Sequence, residues 1–335
     1  MKMEERVRSK MIAAAVAVAG LFGSFAPAAA EDWPTRPVTL VVPFGAGSGT
    51  DVIARLVANK ASEYLGKPII VEDIGGAGGT IAVSRVARAA PDGYQFIIGA
   101  VDTFAQSQYL FANPPADTMK EFDPVALAVD QPLVFLARKG LPVSNLKEFS
   151  GYLKAHQKDV KFGSAGIGAA PYLACATITR IIGAEATHVA YRAAAPALQD
   201  MLRGDIDYYC PLAVSAVPFM KQEQVKTLAV LTPERSPVFP DLPTAREQGV
   251  DFADGYYWNA FFVPKGTPPE VVKKLNTAIS RALDDQNVRD RLKDLAATAV
   301  AADRRTPSYL RTYLSEEIAK WAKIMKDLNI ERLHR

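Results

Sequence analysis

The run Pro43-Phe44-Gly45-Ala46-Gly47-Ser48-Gly49-Thr50-Asp51 constrains this chain more than any other stretch. Before it, Val38-Thr39-Leu40-Val41-Val42 is apolar and β-branched, the pattern of a buried strand. After it, Val52-Ile53, Leu56-Val57 and Tyr64-Leu65 recur at helical spacing, and Gly66-Lys67-Pro68 stops the helix. The unit is strand, glycine loop, helix. Small side chains let a ligand approach the backbone, and the first N–H groups of the helix have no partner within it. The helix dipole favours negative charge at that end, so the loop reads as half of an anion site. A tight turn with no ligand would leave the same signature. Walker A is excluded because no lysine follows the loop, and the Rossmann pattern because the third glycine of Gly45-x-Gly47-x-Gly49 is misplaced. Ser48 is not a nucleophile elbow, since that motif needs glycine where Ala46 stands.

The N-terminus reads differently. Arg6, Arg8 and Lys10 precede an apolar run from Met11 to Phe25, and Ala28-Ala29-Ala30 offers a cleavage site before Glu31. Residues 1–30 are expected to be a Sec-type signal peptide, which places the mature protein in the periplasm. The apolar run is short for a membrane span, and no cysteine near the site invites lipid attachment. Removal takes away four basic residues (Lys2, Arg6, Arg8, Lys10) and two acidic ones (Glu4, Glu5), lowering the net charge from +3 to +1. A nearly neutral mature chain argues against nucleic acid as a partner. His156, His188 and His334 stand in no metal-ligand spacing, so neither metal nor cofactor is expected. Cys175 and Cys210 either pair or remain two buried thiols; spacing does not decide.

Strand and helix patterns alternate along the rest of the chain. Ile69–Glu72 reads as a strand, Gly75–Thr80 as a second glycine loop, and the alanine-rich stretch to Ala90 as a helix. Tyr94–Gly99 is a strand, and Asp102-Thr103 opens a further helix that either residue can cap. This β-α-β-α-β-α order implies a parallel sheet with helices on both faces. Val125–Ala137 is extended, interrupted near Asp130-Gln131-Pro132, and carries the chain into a second lobe. There Val160–Ser164 is a strand, Gly163–Gly168 a third glycine loop, and about Pro171–Ile182 a helix. Thr187–Tyr191, Ile206–Cys210 and Val225–Leu231 read as strands, with a helix over Ala194–Arg203. Tyr256–Val263 returns to the first lobe, and helices at about 268–284, 287–296 and 307–327 close the chain. Glycine loops at strand C-termini in two α/β lobes point to one shared cleft that a hinge can close.

With these words in order, the chain resembles the solute receptors of tripartite tricarboxylate transporters, the Bug-type periplasmic binding proteins. The resemblance spans nearly all of the mature sequence. Its first half is carried by Trp33-Pro34-Thr35-Arg36-Pro37, Pro43–Asp51, Gly76-Ala77-Gly78-Gly79 and Ala90-Pro91-Asp92-Gly93-Tyr94. The second half adds Gly163-Ser164-Ala165-Gly166, Ala195-Pro196-Ala197-Leu198 and Gly204-Asp205-Ile206-Asp207. Arg235-Ser236-Pro237, Asp241-Leu242-Pro243-Thr244, Trp258 and Pro264-Lys265-Gly266-Thr267-Pro268 complete it. The resemblance implies a two-domain periplasmic-binding-protein (Venus flytrap) α/β fold, with a ligand carboxylate held in the cleft between the lobes. It implies a receptor rather than an enzyme, partnered by the membrane permease subunits of such a transporter.

The expected division is residues 31–131 with 250–335 as one domain and 132–249 as the other. The expected ligand-binding residues are Phe44, Gly45, Ala46, Gly47, Ser48 and Asp51 on the first loop, with Gly78, Asp102 and Thr103 beside it. On the second loop they are Ser164, Ala165, Gly166, Ile167, Gly168, Ala169 and Tyr172, joined by Arg192. Asp102 either accepts a bond from a polar ligand group or caps its helix, and Arg192 is either a contact or a solvated cation. Tyr256-Tyr257-Trp258 reads as core or hinge packing.

Where relatives often read Asn-Gly-Thr-Ser-Pro-His-Leu, this chain has Ile167-Gly168-Ala169-Ala170-Pro171-Tyr172-Leu173. A frequent Tyr-Lys-Gly-Ser is here Tyr191-Arg192-Ala193-Ala194. Hydroxyls are replaced by apolar surface, so the expected ligand is a small organic acid with an apolar or aromatic body, an aromatic dicarboxylate if Arg192 faces the cleft. An exported hydrolase, or a sensory subunit presenting its ligand to a membrane kinase, would share much of this pattern.

Overall fold

The computed structural model describes residues 33–236, 238–252, 255–327, 330, 332 and 333. The expected signal peptide lies outside them. Residues 36–335 make one compact unit, which holds both sheets.

Parallel pairing follows from the apolar runs that open it. β1 (Val38–Val42) pairs in parallel with β2 (Ile69–Asp73) and β3 (Gln95–Ala100), registering Val38 with Ile69 and Thr39 with Gln95. The helices α1 (Gly49–Leu65) and α2 (Thr80–Ala87) fill the two crossovers. A π-helical turn, Val101–Gln106, follows β3 where a helix is expected at Asp102-Thr103. Three strands then complete the first sheet through antiparallel pairings: β4 (Phe122–Pro132), early in the chain, a long strand from the second half set between β3 and β4, and a two-residue strand on the outer edge of β4.

The extended segment expected over Val125–Ala137 is divided between two sheets. β4 belongs to the first, β5 (Val134–Arg138) to the second, and Leu133 stands between them. After α3 (Leu146–His156) come β6 (Lys161–Ser164), α4 (Ala170–Ile182), β7 (Thr187–Ala190), α5 (Ala194–Arg203) and β8 (Tyr208–Tyr209). α6 (Ala213–Lys221) occupies a stretch to which periodicity assigns no element, because it is apolar on most faces and contains Pro218. β9 (Val225–Val230) ends this lobe. β10 (Tyr256–Pro264), α7 (Pro269–Asp284), α8 (Gln286–Asp294), β11 (Thr298–Ala299) and α9 (Pro307–Asp327) return to the first. The strand orders are β11-β4-β10-β3-β1-β2 and β7-β6-β8-β5-β9.

Each lobe has an aromatic centre. Phe104 and Phe262 stack at 4.1 Å with Phe122 against them, and Phe135, Phe149 and Tyr208 form the counterpart. Each fully buried ring of this kind is worth about 1.5–3 kcal/mol relative to exposure. In the second lobe a disulfide joins Cys175 of α4 to Cys210 beyond β8, which decides for pairing over the two buried thiols the sequence also allows.

The chain passes between the sheets at Leu133 and again between Leu231 and Gly255. The two passages are tied together. Leu133 N–H donates to Gly255 O at 2.8 Å, Gly255 N–H to Leu231 O at 2.9 Å, and Leu231 N–H to Leu133 O at 2.9 Å. A side chain on Gly255 would lie 2.2 Å from Leu231 O, so this approach requires glycine.

Candidate functional site

β1 delivers the chain to the first glycine loop. Gly47 turns at φ +78°, a conformation that excludes branched residues. Ser48 caps α1 by accepting Asp51 N–H on its hydroxyl, and the Asp51 carboxylate reaches back to accept Gly47 N–H at 2.7 Å. Asp51 also pairs with Arg55 at 2.6 Å, and Arg55 bridges to Asp73. Burial, then the neighbouring Asp51 charge, push Asp73 up to about 6. Gly49 and Thr50 are the first residues of α1, so their N–H groups have no acceptor inside the helix.

The opposing loop follows β6. Ser164 is fully buried, its hydroxyl 2.6 Å from His188 Nε2 and accepting Gly166 N–H at 3.0 Å. Burial lowers the His188 pKa, which favours the neutral ring, and its tautomer sets which of the two groups donates. Among the described residues no carboxylate is bonded to His188. α4 then starts at Ala170 with only Ala169 at its cap, a residue with no side chain to offer.

Asp102 supplies that cap from the other lobe. Its carboxylate accepts Ala170 N–H at 3.1 Å, Thr103 N–H at 2.8 Å and the Tyr257 hydroxyl at 3.0 Å. Burial pushes Asp102 up to about 6 against the pull of these bonds. Burial, with Asp102 beside it, raises Tyr257 well above the usual phenol range.

The lobes are closed on one another. Gly45 approaches Arg192 O and Ala193, and Gly78 approaches Ile167 O and Gly168. Between them remains a cavity of about 20 Å³, room for about one water. Phe44, Ser48, Gly49, Thr50 and Asp102 line it from the first lobe, and Tyr257 from β10. Ala165, Ala169, Pro171, Ala194, Tyr209, Leu212 and Ser215 line it from the second. The Tyr209 hydroxyl is buried and has no hydrogen-bond partner.

Of the residues expected from sequence, Phe44, Ser48, Asp102, Ala165 and Ala169 line this cavity. Gly45, Gly47, Gly78, Gly166 and Gly168 sit in the loop contacts around it, and Ala46 is exposed. Asp51 faces Arg55, and Thr103 spends its hydroxyl on the Ala100 backbone. Ile167 is exposed, with only its carbonyl near Gly78. Tyr172 stacks against Phe162 and packs at a tilt against His188 along a separate outer groove. The Arg192 side chain is exposed, and its carbonyl meets Gly45. Tyr257, read from sequence as packing, is a cavity wall. Tyr209, Leu212 and Ser215 carried no sequence signal as site residues: they reach the cavity through β8 and the start of α6, far in sequence from either glycine loop. Among the described residues there is no cluster of metal-binding side chains, and no helix long and apolar enough to cross a membrane.

Comparison with known proteins gives a consistent result. The pattern of the tripartite tricarboxylate transporter family receptor (TctC) matches residues 53–330. The chain is similar to the periplasmic binding protein BugD, with TM-score 0.87 and 34% identity, covering 90% of this chain and 100% of that one. It is similar to MatC of Rhodopseudomonas palustris, solved with bound malate, at TM-score 0.84 and 41% identity over 87% and 99% of the two chains. A further R. palustris protein, solved with adipate, matches at TM-score 0.84 and 31% identity over 90% and 100%.

Proposed function

We propose a function from one premise: the chain belongs to the tripartite tricarboxylate transporter family of solute receptors. It is a periplasmic solute-binding protein of the Bug type, and family membership implies small carboxylate ligands and membrane transporter subunits as partners. Our reading is that residues 1–30 are its export signal. In this reading the protein captures a small organic carboxylate with an apolar body and hands it, unchanged, to those subunits. The lobes, taken as residues 31–131 with 250–335 and as 132–249, swing apart to admit the acid and close over it.

The observation that carries this reading is the Tyr209 hydroxyl, buried without a partner in the wall of the interlobe cavity, whose wall also holds Gly49 and Thr50, with N–H groups that have no acceptor inside their helix. A carboxylate oxygen satisfies all of them at once, and a hydrogen bond to a charged group is worth about 1.5–3 kcal/mol. Asp102 already serves the N-terminus of α4, so the first-lobe helix and Tyr209 are the better seat for the ligand charge. Phe44, Ala165, Ala169, Pro171 and Leu212 offer nothing to a hydroxyl, and each buried polar group left unpaired costs about 1–3 kcal/mol. That favours a methylene chain such as adipate's, or an aromatic ring against Phe44, over malate or citrate. With the Arg192 side chain exposed, an aromatic monocarboxylate needs less rearrangement than a dicarboxylate.

The test is a set of titrations with benzoate, phthalate, adipate, malate and citrate, followed by mass spectrometry of the bound acid. Benzoate or adipate should bind most tightly. Citrate or malate binding best overturns the apolar-body reading. The Ser164–His188 pair favours one second reading, an exported hydrolase. A chemically altered ligand after long incubation would establish it, but Ser164 is fully buried, so unchanged ligand is expected.

A further inference from the structure

A second cavity, of about 220 Å³, is linked to the first by the Asp102–Ala170 hydrogen bond. Asp102 lines one and Ala170 the other. The walls of this second cavity come from both lobes. Val101 and Gln106 belong to the π-helical turn and Trp321 and Met325 to α9, while Leu173 belongs to α4 and Phe252 to the returning passage. Most of the lining is aliphatic or aromatic. Two buried polar atoms among the lining residues have no hydrogen-bond partner: Gln106 Oε1, on a residue 2% exposed, and Trp321 Nε1, on a residue 6% exposed. One accepts and the other donates. Native structures seldom leave such atoms unpaired, since each costs about 1–3 kcal/mol. Among the described residues the lining holds no Lys, Arg or His, and its one charged residue, Asp251, is acidic, exposed and paired with Arg246.

We propose that this cavity is a second ligand site, for a small neutral molecule that carries an amide on a compact apolar body. The amide carbonyl accepts the Trp321 indole N–H, its N–H group donates to Gln106 Oε1, and the body fills the space against Leu173 and Met325. Among the described residues no cation faces the cavity, so a carboxylate finds no ionic partner there, which separates this site chemically from the one that Tyr209 serves. The π-helical turn belongs to both, with Asp102 in one cavity and Gln106 in the other, and such turns recur at functional sites. An occupant touching both lobes favours the closed arrangement, and by reciprocity a carboxylate in the first site tightens the second.

The probe is benzamide, titrated into the mature protein by calorimetry and followed through the indole N–H signals of the three tryptophans. Saturable binding that shifts the Trp321 signal is expected. Trp321→Phe and Gln106→Leu should each weaken it about tenfold, and Ala174→Phe, which fills the space, should abolish it. Tyr209→Phe should leave it within about twofold. No saturation at millimolar benzamide, with unmoved indole signals, means that the cavity holds solvent only and overturns the proposal. Equal binding by Trp321→Phe and Gln106→Leu overturns it too. Loss of benzamide binding in Tyr209→Phe would place the probe in the first cavity and overturn it as well.

Discussion

Replacing Tyr209 by Phe removes one oxygen from a residue that is fully buried and whose ring packs among Val134, Leu136 and Leu198. The ring stays, so packing is preserved and the change isolates the hydroxyl. In the unliganded protein that hydroxyl has no partner, and an unsatisfied buried group costs about 1–3 kcal/mol. The cavity of about 20 Å³ admits one water, which would recover part of that cost. A net gain of about 1 kcal/mol, or about 2 °C in melting temperature, is therefore expected without ligand. Burial drives the phenol pKa far up, so the group stays a donor at any working pH. With a carboxylate bound, the variant lacks a hydrogen bond to a charge worth about 1.5–3 kcal/mol, so affinity should fall roughly 10- to 150-fold. The two effects have opposite sign. Thermal unfolding without ligand and calorimetry with adipate and benzoate measure them separately. Affinity unchanged within about twofold, together with a lowered melting temperature, would show that Tyr209 is structural and that the charge is held elsewhere.

Two further outcomes follow from the closed lobes. Asp102 binds its proton more readily when folded, at about 6 against an ordinary 3.8. Its contribution to stability is therefore full below about pH 4 and is lost as pH rises through about 6, a change of up to about 3 kcal/mol. Asp102→Asn should flatten the melting temperature across that window, leaving a smaller slope from Asp73, which is also raised to about 6; an undiminished slope would mean that Asp102 does not titrate there. In Gly45→Val the added side chain would begin 3.1 Å from Arg192 O and 3.2 Å from Ala193 Cβ, across the cleft. Overpacking of about 1–3 kcal/mol would then fall on closure alone and weaken carboxylate binding roughly 5- to 150-fold. Small-angle scattering should show an open form, and wild-type closure would refute the contact.

The first loop was legible because everything that makes it is local. A β-branched run, small residues and a capped helix follow one another within thirty residues, and periodicity reads each. Asp102 was legible as a polar residue at a helix start, but not as the cap of a helix in the other lobe, since Ala170 is distant in sequence. Tyr172 shows the opposite failure. Substitution within a loop suggests a cleft wall, yet the helical turn that begins at Ala170 rotates its ring outward onto His188. Tyr209 lay on a strand that the sequence shows, but nothing local says which side of the sheet meets the other lobe; Leu212 was invisible because an apolar helix with an internal proline leaves no period to follow. The disulfide depended on a helix and a strand, each read correctly, being packed together across a separation of 35 residues, which no local pattern records.

The triangle of hydrogen bonds among Leu133, Leu231 and Gly255 fixes how the lobes travel. Sliding one lobe past the other would shear all three bonds, at about 0.5–1.5 kcal/mol each. Rotation about the knot breaks none of them. In the proposed opening the knot is the pivot, and the contact between Gly45 and Arg192 is parted. Acids of different length all meet the same angular bite, so a change of diet in such a receptor falls to the cavity walls and leaves the pivot untouched.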